Sequence, residues 1–587
     1  MRARQAALFW LVVLGGAALP AACPPAAARA DGGATYVLDP KAVLQGSSYL
    51  ETDLPADWTG MVVNSFVGAN RFYASGITGQ ETTTANIEAG LIWGGATGHQ
   101  TLTQVTNYYA DTTDGALGAI DRHATWVGMI IGGQNVPGNP KDWQTGIAPG
   151  TNLCSGAIAT AWSGTAYGSG FTSSADPTFS ITTATMLNAY NHYFGTADVI
   201  NSSWGFTDPS GTNAWTVALD GLAAANPGTT FVAAVGNNGS GTNRVGAPAS
   251  GYNSISVGGL GNANNYDTIS STSSGGPQDY KDTTQTVHNV RAAVDLVAPG
   301  QDLLTAYYGG QTGGNGTTLS GSAAGPSGNN YYQPVAGTSF AAPIVAGGAA
   351  LLDSASHVNA LPSQSRDARV VRAVLMNSAD KIAGWDNGQQ SVSGVITTTQ
   401  SLDWNLGAGR LNLSRAYDQY LSGTTGVPGQ AGGTIAPVGW DLGLLGGVGA
   451  YNDYVFNSAL AGGSTLDVTL DWFRDRALNM STLTASDSGF ANLDLQVWDA
   501  TFSHLIATSD SLYNDAEELH FQLPDDGQYG LRVTYTSQVF GTPVAEDYGL
   551  AWSATAVPEP GTLALLSLAV LGLLVRWACR RAPRWPL

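Results

Sequence analysis

Gly337-Thr338-Ser339-Phe340-Ala341-Ala342-Pro343 leads straight into an apolar, helix-patterned stretch, residues 344–352. A serine at a helix start stands where unpaired backbone N–H groups and the positive end of the helix dipole converge. A hydroxyl there can act as a nucleophile, because an oxyanion developing beside it is stabilised by those groups. The small neighbours leave a substrate room to approach. Pro343 is expected in the first helical turn, where its missing N–H would go unpaired anyway. Taken alone, the same residues also describe a plain serine N-cap, and the rest of the chain has to decide.

A serine nucleophile needs a base. Upstream, Asp121-Arg122-His123-Ala124-Thr125-Trp126-Val127-Gly128 opens a second helical pattern with His123 at its start. The apolar run 231–235 ends in Gly236-Asn237-Asn238-Gly239, which would project the Asn237 amide at the mouth of a sheet. Its roles divide between oxyanion donor and turn-forming residue. Asn86-Ile87-Glu88-Ala89-Gly90 ends another strand-like run. Between these motifs, β-rich runs (85–91, 199–203, 230–235, 254–257) alternate with helical patterns (182–193, 214–225). That alternation predicts an α/β domain over residues 60–421, a parallel sheet covered by helices.

In this order the motifs resemble those of the subtilisin-like serine peptidases. The resemblance implies Ser339 as nucleophile, His123 as base and Asn237 as oxyanion donor. Val199-Ile200-Asn201-Ser202-Ser203-Trp204-Gly205 is similar to the family's substrate-lining strand, which implies substrate contacts for Ser202, Ser203, Trp204 and Gly205. Trp204 reads equally as a core aromatic. Gly146-Ile147-Ala148-Pro149-Gly150 and Asp295-Leu296-Val297-Ala298-Pro299-Gly300 resemble its structural turns. Three positions depart from the pattern: Glu88 stands where the family has Asp, Ala124 replaces a Gly, and Trp126 replaces a second His. The resemblance implies Glu88 as the carboxylate that orients the imidazole and stabilises its cation, with Asp111, Asp114 and Asp121 as alternative sources and an impaired site as the remaining reading. The resemblance implies acyl transfer without a cofactor, and structural calcium is compatible with the abundant Asp. No EF-hand loop or zinc spacing is legible in the sequence, so the metal ligands are unknown.

Residues 422–437, rich in Gly, Pro and Thr, read as a linker. Period-two alternation follows: Leu466, Val468, Leu470 and Trp472 share one face of a strand, as do Leu493, Leu495 and Val497, then Tyr529, Leu531, Val533 and Tyr535, then Tyr548, Leu550 and Trp552. Several such strands predict an all-β sandwich over 438–555. It resembles the sandwich appended to secreted bacterial peptidases.

Both ends read as addresses. Residues 1–30 carry Arg2 and Arg4, an apolar stretch and Ala28-Arg29-Ala30, the marks of a secretory signal; 31–59 is a short leader. At 556–587, Val557-Pro558-Glu559-Pro560 precedes an apolar run and then Arg576, Arg580, Arg581 and Arg584. This order resembles the PEP-CTERM sorting signal of Gram-negative bacteria. It implies exosortase-type machinery as a partner and delivery to the cell surface, outer envelope or extracellular matrix; a plain anchor helix is the alternative. With both ends removed, Cys154 is the one cysteine left, so no internal disulfide is expected.

The composition agrees with an exported chain. Of 587 residues, 23 are basic and 43 acidic, a net charge of −20. That argues against a general nucleic-acid binder, which needs basic surface to displace phosphate counterions. The expected protein is a monomeric, exported serine endopeptidase acting on polypeptides. The alternative is a binding or matrix protein on a catalytically silent scaffold of the same fold, a reading prompted by Glu88, Trp126 and the sorting tail.

Overall fold

Neighbouring residues on the apolar strands face opposite ways, and this sorts two cores onto one sheet. Val199 and Val232 pack into one core, while Ile200 and Phe231, one position away, pack into the other. A strand buried on both faces is what a parallel, helix-covered sheet requires. A computed structural model describes residues 28–29, 35–36, 63–96, 98–134, 145–163, 178–261, 265–301, 303–306, 332–424 and 432–555. The expected signal peptide and leader lie almost wholly outside the described residues, and the sorting tail wholly so.

The sheet contains Thr83–Glu88 (β1), Asn107–Ala110 (β2), Asn152–Ala157 (β3), Val199–Ser202 (β4), Thr230–Ala234 (β5), Ile255–Gly261 (β6), Thr268–Ile269 (β7) and Leu296–Pro299 (β8). Its order is β7-β6-β5-β4-β1-β3-β2, with β8 also paired to β6. Every pairing is parallel except β6–β7. Helices cover both faces. Arg122–Gly132 (α1), Thr338–Val358 (α4), Ala368–Asn377 (α5) and Leu413–Ser422 (α6) contribute to the first core; Thr183–Tyr193 (α2) and Ala214–Ala225 (α3) contribute to the second. The chain order reverses between β1 and β4, and open parallel sheets bind ligands at the carboxyl ends of such a pair.

Five of these helices begin with a side-chain cap: Asp121, Thr182, Asn213, Asp367 and Asn412. α4 does not. Its N-cap is Gly337, with φ of +141°, a conformation that favours glycine. Ser339 is therefore the second helical residue and not an N-cap. Pro343 lies beyond the first turn, contrary to the sequence expectation. At that depth its missing N–H leaves the Ser339 carbonyl without its usual helical donor. α4 is also the one helix among the described residues long and apolar enough to cross a membrane, yet 94% of its apolar window is buried inside the fold. It is the axle of the first core.

The C-terminal strands form two stacked sheets. One contains Gln390–Val392 (β9), Val395–Thr398 (β10), Gly433–Ile435 (β11), Tyr451–Phe456 (β13), Asp475–Asn479 (β15), Thr484–Asp499 (β16), Leu505–Ser509 (β17) and Tyr529–Gly541 (β19). The other contains Val438–Leu445 (β12), Thr465–Trp472 (β14), Ala516–Gln522 (β18) and Glu546–Thr555 (β20). The alternating residues picked out by period, from Leu466 to Trp552, line the core between the sheets. The hairpin β9–β10 comes from within the segment 60–421 and joins the first sandwich sheet, β10 running parallel to β17. A segment read as linker, 422–437, ends in β11. The two units are thus interleaved.

Candidate active site

β1 and β4 deliver their ends to one point. Glu88 is the last residue of β1, 1% exposed, and both of its carboxylate oxygens have partners. Oε2 accepts from His123 Nδ1 at 3.1 Å, and Oε1 accepts from the backbone N–H of Ser203 at 2.9 Å. An ionised carboxylate only accepts, so Nδ1 carries the proton and Nε2 is the basic nitrogen of the ring. Burial pushes the Glu88 carboxyl above the ordinary range; the attraction of His123 and the bonds to His123 and Ser203 pull it back without cancelling that rise. Asp121 is not the imidazole's carboxylate. It caps α1, accepting from the N–H groups of His123 and Ala124 at 3.2 Å. Asp111 and Asp114 sit at the surface, where both accept from Asn188.

The Ser339 hydroxyl donates to the Ser203 carbonyl at 3.0 Å. The peptide units on either side of Ser203 therefore touch Glu88 and Ser339. The His123 ring lies 5.4 Å, centroid to centroid, from Phe340, the residue after Ser339. Ala124, fully buried, accepts from Asn86 Nδ2 at 3.1 Å through its carbonyl. Trp126 packs against Phe340 with the Arg122 guanidinium over its ring, so it walls the site behind Ser339.

Asn237 is held by its oxygen. Oδ1 accepts from the Thr338 N–H at 2.9 Å and from the Thr338 hydroxyl at 3.2 Å. A donor on one side of an amide fixes its orientation, so Nδ2 turns outward. Among the described residues neither Asn237 Nδ2 nor the Ser339 N–H has a hydrogen-bond partner. Both residues border a cavity of about 340 Å³. Its walls include Trp204, Phe206, Ala234, Val235, Gly246 and Ala247, and among the described residues no charged one lines it. Ser203, Trp204 and Gly205 all line this cavity. Ser202 does not: its hydroxyl faces the other way, bonded to the Tyr190 hydroxyl. Trp204 is both wall and core, 7% exposed with Nε1 donating to Tyr190 at 3.1 Å.

Sequence reading passed over Thr338, which fixes Asn237, and two buried amides. Asn201 Nδ2 donates to Asn86 Oδ1 and to Ser203 Oγ, both at 3.1 Å, bracing β4 on β1 beside Glu88. The signal was present: a buried Asn in an apolar strand requires a partner. Phe206 and Ala247 were also missed, because no motif marks an apolar pocket floor. Among the described residues no group of three or more His, Cys, Asp or Glu side chains is arranged to hold a metal.

Comparison with known proteins gives two family matches. Residues 88–406 match the subtilase family model, and residues 556–581 match the PEP-CTERM protein-sorting motif. The chain is 34% identical over 190 residues to the thermophilic serine proteinase of Bacillus sp. (strain AK1), covering 32% of this chain and 34% of that protein, so it spans only about a third of that relative. It is 28% identical over 290 residues to thermitase of Thermoactinomyces vulgaris, covering 46% of this chain and 83% of that one. Among solved structures it aligns with the prenylagaramide maturation protease PagA (TM-score 0.40, 20% identity, 60% of this chain and 98% of that one). It also aligns with the self-cleaved protease domain of PatA (TM-score 0.40, 22% identity, 60% and 100%). The family match begins at the very carboxylate that receives His123, takes in Asn237 and Ser339, and spans more than half of the chain, which belongs to the subtilase family.

Proposed function

We propose that this chain is an exported serine endopeptidase with a Glu88–His123–Ser339 triad. The observation that carries the reading is the pair of unspent donors, Asn237 Nδ2 and the Ser339 N–H, bordering one cavity beside a serine on an uncapped helix. Ser339 Oγ attacks the scissile carbonyl carbon while His123 Nε2 takes its proton. The carbonyl oxygen becomes an oxyanion that the two donors stabilise. Glu88 stabilises the imidazolium and holds its tautomer without itself taking the proton. His123 then protonates the leaving amine, the C–N bond breaks, and an acyl-serine remains. Water, deprotonated by His123, hydrolyses that ester. Each step uses side chains and backbone of this chain.

The Trp204, Phe206, Val235 and Ala247 walls of the cavity suit a large apolar or aromatic side chain preceding the scissile bond. Ser203–Gly205 would pair with substrate as an added strand, which favours unfolded or loop segments. The terminal motif supports sorting by exosortase-type machinery to the cell surface or matrix of a Gram-negative bacterium. We read the working form as a monomer, with any calcium purely structural. The test is hydrolysis of a chromogenic peptide with Phe before the scissile bond. Wild type should cleave it and Ser339→Ala should not. A folded wild type inert towards it and towards unfolded casein would favour a silent binding scaffold.

A further inference from the structure

The floor of the cavity is tied to a distant part of the chain. Ala247 and Phe206 exchange two backbone hydrogen bonds, at 2.8 and 3.0 Å. From Ala247 the chain enters a tight turn, in which the Ser250 N–H donates to the Gly246 carbonyl at 2.9 Å. The far end of this turn is held by Asp220, a buried carboxylate on α3 that accepts from the N–H groups of Tyr252 at 2.8 Å and Asn253 at 3.3 Å. The charge partner of Asp220 comes from the sandwich, 256 residues later in sequence. Arg476 Nη1 donates to Oδ2 at 2.7 Å, and its side chain is fully buried.

The adjoining contacts reinforce this link. The Asn253 side chain accepts from the Arg474 N–H at 2.8 Å and donates to the Arg474 carbonyl at 3.0 Å. Asp487 joins both arginines, at 2.7 and 3.1 Å. α3 touches β15 backbone to backbone: a Cβ on Gly221 would stand 2.6 Å from the Ala477 carbonyl carbon. A buried ion pair is a poor source of stability, because desolvation consumes most of its Coulomb gain. Its better-attested value is a fixed geometry, and a guanidinium fork supplies that more firmly than an apolar contact.

We propose, taking the cavity beside Ser339 as the substrate side-chain pocket, that the sandwich shapes that pocket through Arg476 acting on Asp220. Arg476 is a positioning residue: it touches no substrate and sets the turn that carries the pocket floor. The sandwich is then part of the specificity apparatus, whatever else it binds.

The test uses the full chain and two chromogenic peptides that differ only in Phe or Ala before the scissile bond. Arg476→Met should raise KM for the Phe peptide about tenfold, the span a displaced apolar pocket wall commands. Its kcat on the Ala peptide should stay within about twofold, since the reacting groups are untouched. Arg476→Lys, which keeps the charge but loses the fork, should give an intermediate shift of about threefold, and it carries the test if Arg476→Met does not fold. Lys381→Met removes another ion pair between the two units, that with Glu518, and should leave the Phe/Ala ratio unchanged. A ratio unmoved in the folded Arg476 variants, or lowered equally by Lys381→Met, overturns the proposal. A wild type that cleaves neither peptide removes the pocket reading itself, and this proposal with it.

Discussion

Glu88 shows how one methylene can be absorbed. The family pattern has Asp at this strand end, and here the longer side chain still meets His123 Nδ1 at 3.1 Å while its second oxygen reaches the Ser203 N–H. Glu88→Ala should lower kcat/KM by about 10³–10⁴, the scale of losing the group that holds the imidazole tautomer. Glu88→Asp should cost about 10², because a carboxylate withdrawn by about 1 Å misplaces the ring. Equal activity in all three on a chromogenic peptide would reject Glu88 as the orienting acid. Asn237→Ala should cost about 10²–10³ in kcat with little change in KM, the range found for one oxyanion donor, in a subtilisin among others. The residues proposed for the chemistry are legible in sequence because chemistry demands particular types at helix starts and strand ends. Ser202 was assigned to the substrate face, but its side chain turns to Tyr190. The last residue of a strand keeps the strand's alternation, and a motif quoted as a block hides that period.

The elements follow their local signals, with boundaries shifted by up to four residues: the run 254–257 extends to Gly261, and the run 85–91 ends at Glu88. The period-two faces of the sandwich all turn inward as their spacing predicts. Interleaving was not legible. β9–β10 is too short to declare a partner, and the charges that join the two units are spread over hundreds of residues. Arg372 on α5 meets Asp295 next to β8, Asp471 on β14 and Asp515 next to β18, each at 2.8 Å with all four side chains buried. A chain ended after Ser422 would strip Arg372 of two of these partners and leave β9–β10 unpaired to β17. Such a truncation should be insoluble or melt at least about 10 °C below the full chain, because breaking a buried pair costs about 3–5 kcal/mol. A truncated chain that melts at the full-length temperature would show that the units are independent. Gly221→Ala should also lower the melting temperature, since its new Cβ has only the β15 backbone to meet.

Taken together, the buried acids give the protein a pH dependence of stability. Burial pushes Asp494 up to about 6 and Glu518 up to about 7, and raises Asp295, Asp471, Glu517 and Glu546 as well. In the unfolded chain these groups titrate near 4. Between those limits the native state binds more protons, so stability falls as pH rises from about 4 to about 7. Asp282 is held down to about 2 by the hydroxyl and backbone donors of its own turn, so its stabilising share is lost as pH falls from about 4 to about 2. Melting temperature should therefore fall from about pH 4 to pH 7, and one that climbs steadily over that range would contradict this assignment. The interleaved sheets and shared ion pairs further predict that both units melt together in one transition. The proposal that Ser339 is a nucleophile armed by His123 and Glu88 is tested most directly by treating the folded full-length chain with a fluorophosphonate and measuring its intact mass. One adduct per chain, mapping to Ser339, absent in Ser339→Ala and His123→Ala and formed far more slowly in Glu88→Ala, is the expected result. A folded chain that takes up no reagent, or takes it up equally in all three variants, would contradict it.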